Sequence, residues 1–276
     1  MPGSEFVHEH ADVLGVKVSA LNMTSAVELT SQWLDAGYHG YICVTGVHGV
    51  MEAQSDPEFR HILNHALINT PDGMPMTWVG RLQGFDRMDR VFGPGFMSEM
   101  CRISTGRGYR HFLYGGQPGV AQQLRSVLEK KFPGLKVVGT LTPPFGSLSA
   151  EQEDELIAQV RELRPDIIWI GLSTPKQERF MAQYLDRLQV PLLVGVGAAF
   201  DFHTGRIRDC SDWIKRAGLQ WVHRLVQDPK RLWRRYLRNN PRFLWHIAWQ
   251  LSGLRHYPRH PELPLHDANR DVKVRP

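Results

Sequence analysis

The sequence predicts an α/β fold, with a Rossmann-like, mostly parallel sheet, helices on both faces and a helical C-terminal appendage. Short apolar runs alternate with amphipathic segments up to about residue 205, and a basic, tryptophan-rich stretch follows. Strands separated by helices predict a parallel, doubly wound sheet. We expect four regions: a flexible N-terminus at 1–12, an α/β domain at 13–205, a basic amphipathic helical appendage at 206–255 and a flexible tail at 256–276.

Six apolar runs bounded by turn residues predict the strands. They are residues 41–46, 67–70, 111–116, 135–140, 166–172 and 191–202. The segments between them carry signals for helix starts. Pro57 opens a helix at 56–67, Pro118 opens one at 117–132, and Ser149 with Gln152 forms a capping box for a third. Residues 176–188 complete the helical series.

Composition excludes several classes of protein. The 276 residues are 42% hydrophobic and 22% charged, as in a folded globular chain. The three cysteines are far apart and lack metal-ligand spacing, which favours a reducing, cytoplasmic compartment over a disulfide or zinc framework. Near the C-terminus the longest apolar stretch, FLWHIAWQL, is far shorter than the roughly 20 residues that span a bilayer. We therefore expect no membrane crossing.

The positive charge is concentrated in the predicted appendage. Residues 206–242 contain 11 Lys and Arg against three Asp, a local net charge of +8, while the whole chain carries only +5. Five of the eight tryptophans lie between residues 213 and 249. Leu232, Trp233, Tyr236 and Leu237 recur at helical spacing between arginines, which is typical of an interfacial amphipathic helix. An anionic membrane surface is the favoured partner, with nucleic acid as the alternative.

The fold places the site at the carboxyl ends of the strands, where open α/β sheets bind ligands. Gly115 and Gly116 begin the turn GGQPG before a helix, which offers backbone N–H groups to a phosphate or diphosphate. Tight packing explains the same glycines equally well. Gln177 lies in the polar cluster STPKQE, where a helix follows a buried strand. Capping explains only part of that cluster.

Asp72 is the candidate catalytic residue. The tripeptide Pro-Asp-Gly is by itself a turn signal, in which Asp bonds its own backbone. However, the apolar segment MPMTWV follows it at once, so we expect the loop to face the core or a pocket and to leave this carboxylate poorly solvated. A buried charge is costly unless it is paired or used, which favours a functional role.

Four ordered motifs resemble the WecG/TagA/CpsF glycosyltransferases, glycosyltransferase family 26. They are TPDGMPMTW, GLSTPKQERFM, GVGAAFDFHTG and GLQWVHRLVQDPKRLWRRYL, and the resemblance runs from about residue 13 to about residue 245. It implies an inverting hexosyltransferase that moves a sugar from a nucleotide donor to a lipid-linked, polyprenyl diphosphate acceptor. The products would be bacterial surface polysaccharide or teichoic acid. It also implies a Rossmann-like catalytic domain and an appendage that docks on the inner face of the cell membrane.

The resemblance also implies roles for individual residues. Asp72 falls on the catalytic base, Thr45 on a substrate-contacting threonine and Arg90 on an arginine near the donor diphosphate. Two further matches are polar residues of the later loops, in the second and third of these motifs, Gln177 and Asp201. The others are arginines of the appendage, Arg224, Arg231 and Arg234. The chain departs from the family pattern at Val47, where many members have Asn.

The chemistry of inverting transfer fits these residue types. The attacking hydroxyl needs a base, and the departing diphosphate needs positive charge. The sequence has no Asp-x-Asp motif and no histidine spacing for a metal, so we expect arginines and helix N-termini in place of a metal, and no cofactor. An NAD-dependent oxidoreductase is a second alternative, but its Gly-x-Gly-x-x-Gly fingerprint is absent. The sequence does not identify the sugar, the nucleotide or the acceptor, and it leaves a homo-oligomer open.

Overall fold

The computed structural model describes residues 8–258, except for the side chain of Asp212. In this part of the chain, eight strands and twelve helices follow one another. The strands are β1 (His10–Val13), β2 (Val16–Ser19), β3 (Gly40–Thr45), β4 (Ile68–Pro71), β5 (Arg110–Gly115), β6 (Lys136–Leu141), β7 (Ile167–Gly171) and β8 (Leu192–Gly195). The helices are α1 (Met23–Asp35), α2 (Val47–Ser55), α3 (Pro57–Asn64), α4 (Met74–Leu82), α5 (Gly93–Arg107), α6 (Val120–Lys131), α7 (Ala150–Leu163), α8 (Lys176–Leu188), α9 (Ala199–His203), α10 (Asp212–Arg216), α11 (Gln220–Gln227) and α12 (Pro229–Leu251).

Six strands form one parallel sheet in the order β4-β3-β8-β7-β5-β6. Side chains alternate between its two faces, since successive residues of a strand point to opposite sides. In β7, Ile168 and Ile170 belong to one core, whereas Ile167 and Trp169 belong to the other. Helices α2, α3, α7 and α8 cover the first face and α1, α5 and α6 the second. The predicted fold class is confirmed.

Local sequence signals explain where most helices begin. The side chain of Asp56 caps α3 by accepting from Phe59 N, and Pro57 occupies the first turn, as predicted. The capping box of Ser149 and Gln152 starts α7. The helix predicted at 117–132 begins later, at Val120, because the preceding glycine adopts a left-handed conformation that interrupts the helix.

Two segments differ from the sequence prediction. Residues 10–12, which we assigned to a flexible N-terminus, form part of β1, an antiparallel partner of β2. The alternation of polar and apolar residues in HADV explains this, because it buries Ala11 and Val13. The strand predicted at 191–202 ends at Gly195, and the short helix α9 takes up the second half of that apolar run.

Helix α12 packs into the α/β core. Leu232, Phe243 and Ile247 are buried, and the last two join the core on the α2 side of the sheet. The side-chain oxygen Oε1 of Gln250 accepts a hydrogen bond from Leu14 N at 2.9 Å, which joins α12 to the turn between β1 and β2. Within residues 8–258, no helix is both long enough and apolar enough to cross a membrane.

The predicted apolar stripe of this helix is divided between two faces. Leu232 is buried and Tyr236 is partly buried, whereas Trp233 is 45% exposed and Leu237 is 63% exposed. The sequence prediction placed all four on one side. The difference arises because one part of the stripe packs on the α/β domain and the other part remains free for another contact.

Candidate active site

Asp72 lies at the carboxyl edge of the sheet, immediately after β4. Its backbone N–H donates to Thr45 O at 3.0 Å, which joins the ends of β4 and β3. Gly73 follows with φ +99°, a conformation that favours glycine, and α4 begins at the next residue. A side chain at Gly46 would meet Asp72 O at 2.8 Å, so the two loops approach closely. This packing holds Asp72 in place between two strand ends.

Arg90 connects Asp72 to the appendage. Its Nη2 lies 3.7 Å from Asp72 Oδ1, and the same nitrogen donates to Gln220 Oε1 at the start of α11. The guanidinium also lies 4.3 Å from the ring centroid of Phe92. Only 12% of the Arg90 side chain is exposed, and its buried Nε has no hydrogen-bond partner within the described residues. The guanidinium is therefore held between Asp72, Gln220 and Phe92, and only a small part of it is exposed.

The apolar segment after Asp72 faces the core only in part. Met76 is fully buried, but Trp78 is 44% exposed and lies against Gly218 of the appendage, where an added side chain would meet its ring at 2.7 Å. The side chain of Asp72 is itself 40% exposed. Our expectation of a poorly solvated carboxylate is therefore wrong: the apolar residues pack beneath the loop and against the appendage, and leave the carboxylate accessible to a substrate.

Close packing explains the two glycines after β5. Gly115 has φ +125°, and a side chain there would meet the backbone of Gly171 at 2.7–2.9 Å. The N–H of Gly116 donates to Gly171 O at 3.0 Å, so it is not free for a phosphate. The turn that follows is exposed at Gln117, Pro118 and Gly119. An anion site at the start of α6 stays a prediction.

Gln177 lies in the first turn of α8, between β7 and β8 in the chain. It is 2% exposed, its Oε1 accepts from Gly197 N at 2.9 Å, and its Nε2 donates to Glu178 Oε1 at 3.0 Å. Both polar ends of the side chain are thus used to hold neighbouring loops. Direct substrate binding by Gln177 stays a prediction, and the contacts described give it a positioning role.

Glu178 is a buried carboxyl group that the sequence prediction did not assign to the site. It is 1% exposed, and its Oε1 accepts from Thr174 Oγ1 at 2.8 Å as well as from Gln177. Its Oε2 and the hydroxyl of nearby Thr45 are buried without a partner among the described residues. Burial raises the pKa of Glu178 from its ordinary value of 4.5, although these two hydrogen bonds and Arg235 act in the opposite direction.

This raised pKa predicts how stability depends on pH. The folded state holds the proton of Glu178 more tightly than the unfolded state, so stability is lost as pH rises from about 4.5 through the folded pKa. Glu178→Gln is neutral at every pH and lacks this loss. Denaturant unfolding between pH 4 and pH 8 should therefore show the free energy of unfolding shifting in favour of the variant as pH rises. A constant difference between the two proteins would contradict the assignment.

The remaining predicted residues lie on the appendage and on α9. Arg224 of α11 lies 5.6 Å from the ring centroid of Phe202, beside Asp201 in α9. Arg231 is exposed and pairs with Asp228 at 2.6 Å, and Arg234 is exposed next to Trp233. No contact described joins the carboxylate of Asp201 to Asp72, so its place in a common pocket stays a prediction.

Arg235 is a central residue that the sequence prediction missed. Burial lowers its pKa, and Tyr236, Arg224, Asp72 and Arg231 all act on it electrostatically. Its buried Nε has no hydrogen-bond partner within residues 8–258. Arg235 is therefore close enough to interact electrostatically with both the carboxylate after β4 and two other arginines of the appendage. Arg235 is adjacent in the sequence to Arg234, which the prediction did select. Only the fold shows which of these two arginines is the more buried.

Two cavities include arginines of the candidate site or of the appendage. One of about 580 Å³ lies between the start of α1 and the loop before α5, and includes Arg90 and Glu28. Another of about 290 Å³ lies between α2 and α12, and includes Arg234. Asp72, Gln177 and Asp201 do not line either of these two cavities, and a pocket shared by them stays a prediction. Across the described residues, no three His, Cys, Asp or Glu side chains cluster as metal ligands would. Metal independence stays a prediction.

The fold and the site together define an α/β enzyme with a carboxylate and arginines at the carboxyl edge of a parallel sheet. Residues 11–257 match the model of the glycosyl transferase WecG/TagA/CpsF family, and the chain belongs to that family. It is similar to the N-acetylglucosaminyldiphosphoundecaprenol N-acetyl-beta-D-mannosaminyltransferase of Bacillus subtilis (strain 168), at 26% identity over 78% of this chain and 82% of that protein. The protein of the same name from Bacillus spizizenii (strain ATCC 23059 / NRRL B-14472 / W23) shows the same identity and coverage.

These comparisons confirm the family resemblance and the predicted enzyme class. The chain is a glycosyltransferase, and neither the oxidoreductase nor the nucleic-acid-binding alternative fits the family match. The match covers the α/β domain together with the appendage. The roles of the individual site residues remain predictions.

Proposed function

We propose that this glycosyltransferase transfers a hexose, with inversion, from a nucleotide diphosphate donor to a lipid-linked acceptor that itself carries a diphosphate. The observation that carries the proposal is the Asp72–Arg90 pair, which α11 contacts through Gln220. It combines an accessible carboxylate with an arginine that also lines a cavity of about 580 Å³. The names of both relatives describe a mannosaminyl transfer to a diphosphate-linked lipid, which supports this choice of acceptor.

The reaction uses these groups in one displacement. Asp72 takes the proton from the acceptor hydroxyl as its oxygen attacks the anomeric carbon of the donor. The bond from that carbon to the diphosphate breaks, and its electron pair leaves with the diphosphate. Arg90 stabilises the charge that develops there, with further positive charge from Arg224 and Arg231. Attack from the side opposite the leaving group inverts the configuration.

A transfer assay tests this proposal. The protein is incubated with uridine diphosphate sugars and with N-acetylglucosaminyl diphosphate on a short prenyl chain, and the product is characterised by NMR. We expect one donor to be used and the anomeric configuration to invert. Thermal shifts with the same donors, NAD and short DNA should show stabilisation by the donor alone. A product with retained configuration, or no transfer from any donor, would overturn the proposal.

We further propose that the protein docks on the inner face of the cell membrane from the cytoplasm. The support is the face of α12 that does not pack on the core. Trp233, Leu237, Leu244 and Leu251 are 43–66% exposed and recur at helical spacing. Basic residues flank them, which suits a helix lying in the plane of an anionic bilayer.

Removing the apolar part of this surface should release the protein from vesicles. Leu237→Glu with Leu244→Glu places two negative charges in the exposed stripe, so we expect loss of sedimentation with phosphatidylglycerol vesicles. The matched control, Leu82→Glu with Phe145→Glu, changes two exposed apolar side chains outside the appendage and should bind as the parent does. Point substitutions are preferable to deleting residues after 205, because the deletion also removes the buried face of α12.

Two results would contradict membrane docking. One is equal binding of the parent protein to neutral and anionic vesicles at low salt, since each basic residue near the surface should contribute about 1 kcal/mol. The other is a fall in mass by light scattering when the stripe is substituted, which would assign this surface to a homo-oligomer. Steeply salt-dependent DNA binding would favour the nucleic-acid alternative.

A further inference from the structure

A cationic groove lies between α2 and α12, beside the candidate active site. Its volume is about 290 Å³, and a water occupies roughly 30 Å³ in the liquid, so a group the size of several waters fits. Helix α2 contributes His48 and Glu52, and α12 contributes Arg234, Arg235, Arg238 and Arg242. Four arginines thus face one carboxylate. We call this the α2–α12 groove.

The four arginines of the α2–α12 groove outnumber the carboxylates near them: Glu52 lines the groove, and Asp72 and Glu178 interact electrostatically with Arg235. Arg234, Arg238 and Arg242 are spaced by four residues, so they form one row along α12, in which like charges repel. Among residues 8–258, apart from the side chain of Asp212, no ion pair within 4.0 Å involves these three or Arg235. Such a row favours an anion from outside the chain, and arginine suits the oxygens of phosphate.

The groove is next to the reacting carboxylate. His48 lies in the first turn of α2, three residues after Thr45, and its Nδ1 is 3.0 Å from Asn239 Nδ2 of α12. Asp72 N donates to Thr45 O at 3.0 Å, so the strand end that precedes His48 is bonded to the site. Arg235 of the groove acts electrostatically on both His48 and Asp72. Burial lowers the pKa of His48 to about 4, which leaves its imidazole neutral near pH 7 and the arginines as the positive groups.

We propose that the α2–α12 groove binds the diphosphate of the lipid-linked acceptor, while Arg90 binds the diphosphate of the donor. The inference rests on the proposed function, in which both substrates carry a diphosphate. Two such groups repel each other, so each needs its own positive charge, with the base between them. Two different arginines act on Asp72: Arg90 at 3.7 Å, and Arg235, which lines the groove.

The end of the groove suits the lipid part of that acceptor. Trp245 and Trp249 follow Arg238 and Arg242 at helical spacing, so they continue the same row toward the C-terminus of α12. Their ring centroids are 5.0 Å apart, and Trp245 is 59% exposed. Tryptophan is enriched where a membrane meets water. Along α12, arginines suited to phosphate are therefore followed by tryptophans suited to the membrane interface.

The test is the double variant Arg238→Gln with Arg242→Gln, assayed with the short-chain N-acetylglucosaminyl diphosphate acceptor in solution. We expect KM for the acceptor to rise about tenfold or more, because charge-assisted hydrogen bonds to the diphosphate are lost. KM for the donor should stay within about twofold. The matched control is Lys230→Gln with Arg255→Gln, which also removes two charges but lies outside the groove, and both constants should match the parent.

Three outcomes would overturn the inference: an unchanged KM for the acceptor, a raised KM for the donor instead, or an equal effect in the control variant. Weaker binding to phosphatidylglycerol vesicles together with an unchanged KM for the soluble acceptor would assign the groove to bilayer headgroups. Calorimetric titration of the acceptor without donor separates this inference from the proposed function. Binding that the double variant weakens supports the groove even if no sugar is transferred, and a parent that binds no acceptor refutes it.

Discussion

Asp72→Asn is expected to lower the rate of sugar transfer by about 10² to 10⁴. The amide keeps the size and turn geometry of the side chain, but it cannot take the proton of the attacking hydroxyl. The structure supports this separation of roles, because the backbone N–H of Asp72 makes the bond to Thr45 and the side chain is 40% exposed. The measurement is kcat with saturating donor and acceptor, together with the melting temperature.

The exposed Asp86 provides the matched control for this experiment. Asp86→Asn removes the same charge from the loop after α4 and should leave kcat and stability unchanged. Donor affinity should change little in Asp72→Asn, because the base acts on the acceptor. Turnover within a factor of about three of the parent would mean that Asp72 is a turn residue and that another group takes the proton.

Phe243→Ala is expected to destabilise the protein by about 3–5 kcal/mol. Phe243 is 2% exposed and joins the core on the α2 side of the sheet, so the substitution removes buried surface and leaves a cavity. A loss of this size lowers Tm by about 6 to 20 °C in a chain of this length. The measurements are thermal and denaturant unfolding.

The adjacent residue gives the control. Leu244 is 66% exposed, and Leu244→Ala should change stability by about 0.5 kcal/mol at most. If Phe243→Ala were equally mild, α12 would be an independent appendage that can leave the α/β domain. A separate first transition confined to α12 would lead to the same conclusion. The outcome thus decides whether the region after the predicted boundary at residue 205 unfolds separately from the α/β domain.

Much of the α/β domain could be predicted from local patterns. The run at 166–172 is apolar on both faces, as expected of a strand covered by helices on each side, and it forms β7. The hairpin of β1 and β2 was missed because strands of four residues carry little periodicity. The end of β8 was misplaced because a buried strand and the buried start of α9 have the same apolar composition.

The residues of the candidate site that lie in a recognisable local motif could be predicted from the sequence. Asp72 and Arg90 were selected by the turn before an apolar segment and by the family resemblance, and the fold brings them to 3.7 Å. Gln220 and Arg235 were missed, because each depends on how α11 and α12 lie against the domain. Nothing in a helical periodicity distinguishes an arginine turned toward a carboxylate from one turned toward solvent.

The sequence by itself determined the alternation of the six parallel strands with helices, the concentration of charge after residue 205 and the position of Asp72 at a strand end. These features depend on neighbouring residues, whose side chains set the period of burial and the chemistry of each turn. Only the tertiary structure decided that α12 has a core face, an exposed apolar face and a row of arginines along a groove. The physical reason is that burial and electrostatic pairing arise between segments far apart in the chain, and packing selects which face of a helix turns inward.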